Sequence, residues 1–245
     1  MGMEMAMAGR GEDKTGGSRA QAAYRALRRA IIDQALQPGM KLPEDAIGER
    51  LGVSRTLVRE AFAKLAGEGL VQLRQNRGAS VACPSLEEGR DVFTVRLGLE
   101  RLVAELLAGR LGKPERERLA RHLAAEDRAR GNDGPDSIRL AGEFHTLLAE
   151  MTGNSLLDRY VQEMVSRCSL ILAIYARPPS AECAVNEHRD IVEALEKGDA
   201  VRAMAIMDHH LRAVMERALI APRGQGEIGD VLAAYAASEG LESNK

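Results

Sequence analysis

Apolar residues recur at helical spacing through most of the chain, and one short stretch breaks that rhythm. From Gln21 the positions Tyr24, Leu27, Ile31 and Ala35 share one helical face, and "QPGMKLP" (37–43) ends the run with Pro and Gly. A second, short helix, "EDAIGERLG", turns Ile47 and Leu51 inward and stops at Gly52. Ser54 then occupies an N-cap position, where its hydroxyl can accept from an unpaired backbone amide at the start of a third helix. At about 100° per residue, Leu57, Val58, Ala61, Phe62 and Leu65 of that helix make one broad apolar face, while Thr56, Arg59 and Ala63 point away. Past Gly69, "LVQLR" reads as a strand, "QNRG" as a turn and "ASVA" as a returning strand. Three helices and a two-stranded ribbon predict a winged helix-turn-helix over residues 19–82.

The helical rhythm resumes after a linker at 83–89, within "CPSLEEGR", and no strand pattern interrupts it again. Helices are predicted at about 86–111, 114–130, 136–152, 155–177, 181–197 and 199–220, with breaks at Gly112, "GNDGPD", Gly153-Asn154, "RPPS" and Gly198. Six helices with short connections imply an antiparallel bundle over 90–221. The fold class is therefore mainly α: an N-terminal winged helix-turn-helix followed by an all-α antiparallel helical bundle. Residues 1–18, polar and Gly-rich, read as a flexible tail, and 222–245 as a second tail with one short helix.

Composition narrows the partners. Only 3% of the 245 residues are aromatic and none is Trp, which leaves few side chains for stacking single-stranded bases. No apolar run approaches the roughly 20 residues that cross a bilayer, and the opening residues lack the apolar segment of a signal peptide, so no membrane partner is expected. Cys83, Cys168 and Cys183 are odd in number and show no CxxC spacing, which fits a reducing cytoplasm. Charge is distributed unevenly. Residues 19–82 hold eleven Lys or Arg against six Asp or Glu, a balance of +5; residues 1–18 come to -1, leaving -6 for the remainder of a chain whose net charge is -2. Only the first segment is suited to a polyanion.

Duplex DNA is the polyanion that this segment fits. A helix enters the major groove, its N-terminal residues reach base edges, and an arginine can bond O6 and N7 of guanine in one plane. Arg55 and Arg59 lie one turn apart at the start of the third helix, and Arg77 and Gly78 form the tip of the ribbon, within reach of the adjacent minor groove or phosphates. The stretch "LGVSRTLVREAFAKLAGEGLVQLRQNRGASV" resembles the winged-helix half of GntR-family bacterial transcription regulators. The resemblance implies operator contacts from Arg55, Thr56 and Arg59, with Gly78 as the wing glycine. Two departures are visible: Leu57 stands where the family usually has Pro, and an arginine used by some members in the preceding helix falls close to Asp45.

In the second half, histidines are placed among apolar residues. His188 shares a face with Ile191, Val192 and Leu195, His210 with Ala203, Met207 and Val214, and His145 lies one turn before Leu148 and Ala149. One such histidine would read as a hydrogen-bonded core residue, whereas three on three helices point to a metal, for which neutral imidazole is a preferred ligand. His122 and His209 lack that setting and read as surface residues. The segments "VRLGLERLVAELLA", "EFHTLLAEMTGN", "EHRDIVEALEKGD" and "MDHHLRAVM" resemble the FCD effector domain of the FadR subfamily of GntR regulators. The resemblance implies that His145, His188 and His210 hold a divalent transition metal, zinc or nickel. It also implies a small organic acid as effector, and a homodimer on a palindromic operator. The family's fourth ligand, an Asp one turn before the first His, is Ala141 here, and Glu143 lies on another face; three His with water or a ligand oxygen still make an acceptable site.

Arg96, Cys168 and Tyr175 are candidate effector-pocket residues. Arg96 and Glu100 are one turn apart on the first bundle helix, and Met164, Cys168, Leu172 and Tyr175 share a stripe on the fourth. A surface ion pair and plain core packing are the alternatives. A metal-dependent hydrolase is a competing function, but it needs an acid or base beside the metal, and no carboxylate lies one turn from any of the three histidines on its inward face. The expected protein is a regulator and not an enzyme.

Overall fold

The computed structural model describes residues 12–129, 135–175 and 181–219. In chain order its elements are α1 (Glu12–Ile32), β1 (Lys41–Leu42), α2 (Glu44–Leu51), α3 (Arg55–Gly67), β2 (Val71–Arg74) and β3 (Gly78–Val81), then α4 (Leu86–Leu107), α5 (Lys113–Arg128), α6 (Pro135–Met151), α7 (Ser155–Tyr175), α8 (Ala181–Glu196) and α9 (Ala200–Leu219). The short helix expected within 222–245 lies outside the described residues.

The first three helices form because an apolar stripe on each meets the others. Leu27 and Ile31 of α1, Val58, Phe62 and Leu65 of α3, Leu70 just before β2 and Val81 of β3 are buried in one core. Helix α1 begins at Glu12, inside the stretch read as a tail. It ends at Ile32, before Ala35: Gln34 takes φ 58°, and Leu36, whose N–H bonds Ala30 O at 2.9 Å, packs against the core instead. The inward position of α2 is also corrected. Leu51 is 38% exposed, and Gly48 is buried in its stead, because a Cβ there would lie 2.9 Å from the Val53 carbonyl.

The ribbon has three strands where the sequence predicts two. Their order is β1-β3-β2, all antiparallel, with Leu42 opposite Ala79 and Arg74 opposite Gly78. A two-residue strand is too short to show the alternation by which strands are recognised, so "KL" read only as the end of a helix.

Helices α4 to α9 make the bundle. Ser85 caps α4 in a reciprocal capping box with Glu88, α4 then packs along α9 and α7, and α6 packs along α7 and α5. Helix α4 stops at Leu107 instead of 111 because the chain turns at Gly109, φ +72°, whose Cβ-less backbone lies against Gly198 and donates to Leu195 O at 2.8 Å. Phe144, Leu148, Ile191, Leu195, Met207 and Leu211 fill the centre.

The two halves share surface. Leu170 of α7 is 1% exposed and belongs to the winged-helix core, and Arg28 of α1 donates to Glu68 at the end of α3 and to Ser166 of α7, both at 2.9 Å. Among the described residues, no helix is long and apolar enough to cross a membrane.

Candidate functional site

Helix α3 is set up from its first residue. Ser54, in extended backbone, accepts from Leu57 N and opens the helix, while Val58, Ala61, Phe62 and Leu65 are buried beneath it. Arg55, Thr56 and Arg59 are consequently exposed together. Arg77 is exposed at the hairpin tip, where Asn76 takes φ 59° and Gly78 φ 76°. Nothing lies near a Cβ added to Gly78, so the left-handed backbone, and not crowding, calls for glycine. Sequence reasoning missed Glu44, whose Oε2 accepts from Arg59 Nε at 2.8 Å and Arg55 Nη2 at 3.2 Å. No periodicity could have shown this, since the partners sit on different helices.

The second assembly lies inside the bundle. His145 on α6, His188 on α8 and His210 on α9 are each at most 2% exposed. Their Nε2 atoms converge: 3.3 Å separates those of His188 and His210, and 3.3 Å those of His210 and His145. Each outer nitrogen meets a carboxylate, His145 Nδ1 with Glu100, His188 Nδ1 with Glu126 at 2.8 Å, and His210 Nδ1 with Glu187 at 2.6 Å. Phe144 stacks on the His188 ring, centroids 3.9 Å apart and planes 14° from parallel, which fixes its rotation.

Protonation follows from burial. Loss of solvent, with the nearby Arg96 charge, pulls His145 down to about 3, and burial with His188 nearby pulls His210 down to about 4. Burial alone would raise Glu100, but the adjacent Arg96 guanidinium and the His145 contact together outweigh it and hold the carboxyl at about 2. Burial opposes the charge of Glu126 too, and hydrogen bonds from His122 and His188 bring it to about 2. A neutral imidazole that donates from Nδ1 to a carboxylate must present a lone pair at Nε2. Lone pairs converging at 3.3 Å repel one another unless a cation or a proton lies between them. The spacing also suits a metal: bonds of about 2.0–2.1 Å to a tetrahedral ion place its nitrogen ligands about 3.3–3.4 Å apart. The donor set therefore fits a divalent ion, with the carboxylates as the outer partners that orient histidine ligands.

Several expectations change here. Ala141, half-buried on α6, offers no ligand, and Glu143 pairs with Arg139 at 2.8 Å on the exposed side. His122 is not a surface residue: it contacts Glu126 Oε1 and Leu140 O, each at 3.0 Å, extending the hydrogen-bonded shell around His188. His209 is exposed as expected. Arg96 and Glu100 form a buried pair at 2.5 Å, not a surface one. The Cys168 thiol lies within hydrogen-bonding reach of Arg96, and burial raises its pKa. Tyr175 sits in the same apolar cluster as Cys168 but donates its hydroxyl to Pro84 O at 3.1 Å, toward the start of α4. Carboxylates do stand behind the histidines at Nδ1, none of them one turn away on the same helix: they come from α4, α5 and the residue of α8 preceding His188. Glu187, next to His188 in "NEHRD", had a sequence signal in that adjacency; Glu126 had none.

A winged helix with an exposed arginine face, borne on a helical bundle with a buried histidine centre, defines a DNA-binding transcription regulator. Comparison with known proteins gives its family. Residues 19–81 match the model of bacterial regulatory proteins of the gntR family, and residues 91–213 match the FCD domain. The chain is 32% identical over 200 residues to the HTH-type transcriptional repressor RspR of Escherichia coli K12, covering 80% of this chain and 87% of RspR. It is 29% identical over 185 residues to a probable D-xylose utilization operon transcriptional repressor of Paenarthrobacter nicotinovorans, covering 76% and 82%. A GntR protein from Rhodococcus sp. RHA1 superimposes with a TM-score of 0.73 at 26% identity, covering 84% of this chain and all of that one. The chain belongs to the GntR family of regulators, in the FadR subfamily that carries a C-terminal FCD domain. These relatives are transcription regulators, and the hydrolase alternative falls with that finding.

Proposed function

We propose that the protein is a cytoplasmic, homodimeric regulator whose affinity for a palindromic operator changes when a small organic acid enters the helical domain beside a metal held by His145, His188 and His210. The observation that carries this reading is the convergence of three Nε2 atoms, that of His210 lying 3.3 Å from each of the other two, with each imidazole held from behind by a carboxylate. A bound zinc or nickel ion would supply a Lewis-acidic position for an effector oxygen. Arg96, buried next to Glu100 and Cys168, adds positive charge suited to a carboxylate ligand.

In this reading Arg55, Thr56 and Arg59 enter the major groove, and Arg77 and Gly78 contact the flanking backbone or minor groove. One recognition helix covers only half a site, so a two-fold assembly is required for a palindrome. Val95 and Leu102, exposed by 50% and 41% and two turns apart on α4, support an interface on the helical domain. Elemental analysis of the purified chain, followed by operator titration with candidate acids, tests the reading. About one zinc or nickel per chain, lost in His188→Ala together with effector response, is the expected result. A triple histidine variant that binds no metal yet still releases DNA with its effector would overturn it.

A further inference from the structure

The acidic residues that open α2 have no part in the reading above, yet they are the partners of the recognition helix. A single oxygen of Glu44, Oε2, accepts from Arg59 Nε at 2.8 Å and from Arg55 Nη2 at 3.2 Å, and Asp45 Oδ1 pairs with Arg55 Nε at 3.2 Å. The Glu44 side chain is 20% exposed against 59% and 66% for the two arginines, so the carboxylate lies beneath both guanidinium groups. Partial burial opposes its charge, but hydrogen bonds from Arg59 and Arg55 outweigh that and hold its carboxyl below the ordinary range.

We propose that Glu44 is a positioning and specificity-determining residue for operator recognition, holding Arg59 with its outer fork toward the bases and weakening the attraction of both arginines to phosphate. The inference rests on the reading that α3 enters the major groove. An arginine left to solvent samples many rotamers, whereas bonding guanine O6 and N7 needs a planar fork in one place. Arg59 gives Glu44 only its Nε, which keeps Nη1 and Nη2 for that pair of acceptors. Arg55 has both Nε and Nη2 committed to acids, which suits it to a single contact. Of the two, Arg59 is therefore the base reader. The same carboxylates repel phosphate on every sequence, while on the operator base contacts offset that cost; the net effect is discrimination.

The test uses full-length protein and an operator selected by the wild type from randomised duplex. Glu44→Gln, Arg59→Ala and the double variant are titrated against the operator, its single-base variants and a scrambled duplex at several salt concentrations. Glu44→Gln is expected to bind scrambled DNA about threefold tighter, with a salt dependence steeper by about one ion. The operator-to-scrambled ratio should fall about tenfold, a change of about 1.4 kcal/mol. The loss should concentrate at the base pair that Arg59→Ala blurs, and adding Glu44→Gln to Arg59→Ala should lower the ratio no further. Glu44→Asp, which keeps the charge on a shorter arm, should retain weak scrambled binding without restoring the base preference. Circular dichroism and thermal melting separate these effects from loss of α2, which would weaken all duplexes alike. If Arg59→Ala lowers the ratio but Glu44→Gln leaves it unchanged, the inference is overturned while the groove reading stands. If Arg59→Ala itself leaves the ratio unchanged, the groove reading fails and takes the inference with it.

Discussion

Each imidazole of the buried centre is bonded at Nδ1 and turned inward at Nε2, so the carboxylates behind them matter as much as the histidines. Glu126→Gln removes the acceptor charge behind His188 and should lower metal affinity about 10- to 100-fold, read by competition with a chromogenic chelator. The same centre sets a pH dependence. His145 and His210 have folded-state values of about 3 and 4, below the ordinary 6.5, so the unfolded chain takes up protons that the folded one refuses. Stability from this source is fully present above about pH 6.5 and declines as pH falls toward 4. Metal-free protein should lose about 3 kcal/mol between pH 6.5 and 5 in urea denaturation; a flat profile across that interval would contradict neutral histidines. On the DNA face, Arg59→Ala should cost about 1–3 kcal/mol and blur one base position, as loss of a bidentate guanine contact does. Equal loss on operator and scrambled duplex would make Arg59 a phosphate contact.

Among the elements, those with long periodic stripes were legible in the sequence, and those fixed by contact between distant segments were not. Helices α3 to α9 announced themselves through apolar faces and punctuation, and Ser54 and Gly52 serve as the caps that the sequence suggested. Strand β1 was hidden because two residues carry no period, and the early end of α4 because Gly109 meets Gly198, 89 positions away in the numbering. The histidines were found by their apolar neighbours, whereas Glu126 and Glu44 were not, since their partners lie on other helices. Gly48 shows the consequence for mutation. Its added Cβ would lie 2.9 Å from the Val53 backbone oxygen, so in Gly48→Ala either α2 or the turn at Val53 must shift. A loss of about 1–3 kcal/mol, the usual cost of overpacking, should appear as a lowered melting temperature with weakened DNA binding. An unchanged melting temperature would mean that the turn yields.

For the molecule as a whole, light scattering at micromolar concentration should give a dimer, with or without DNA; a monomer would contradict the palindrome argument. Coupling between effector and operator in such an assembly is of the order of 1–3 kcal/mol, or roughly five- to 150-fold in affinity. Helix α7 touches both halves of the protein, with Cys168 beside Arg96 of α4 and Ser166 beside Arg28 of α1. Leu170, on the same helix, is buried in the winged-helix core, so the reading head ends one helix deep inside the body. Recombination between related regulators cannot then cut cleanly at the linker. A grafted head would arrive with a socket shaped for its former owner's α7, and a working chimera must either carry over that helix's apolar side chain or evolve a matching one.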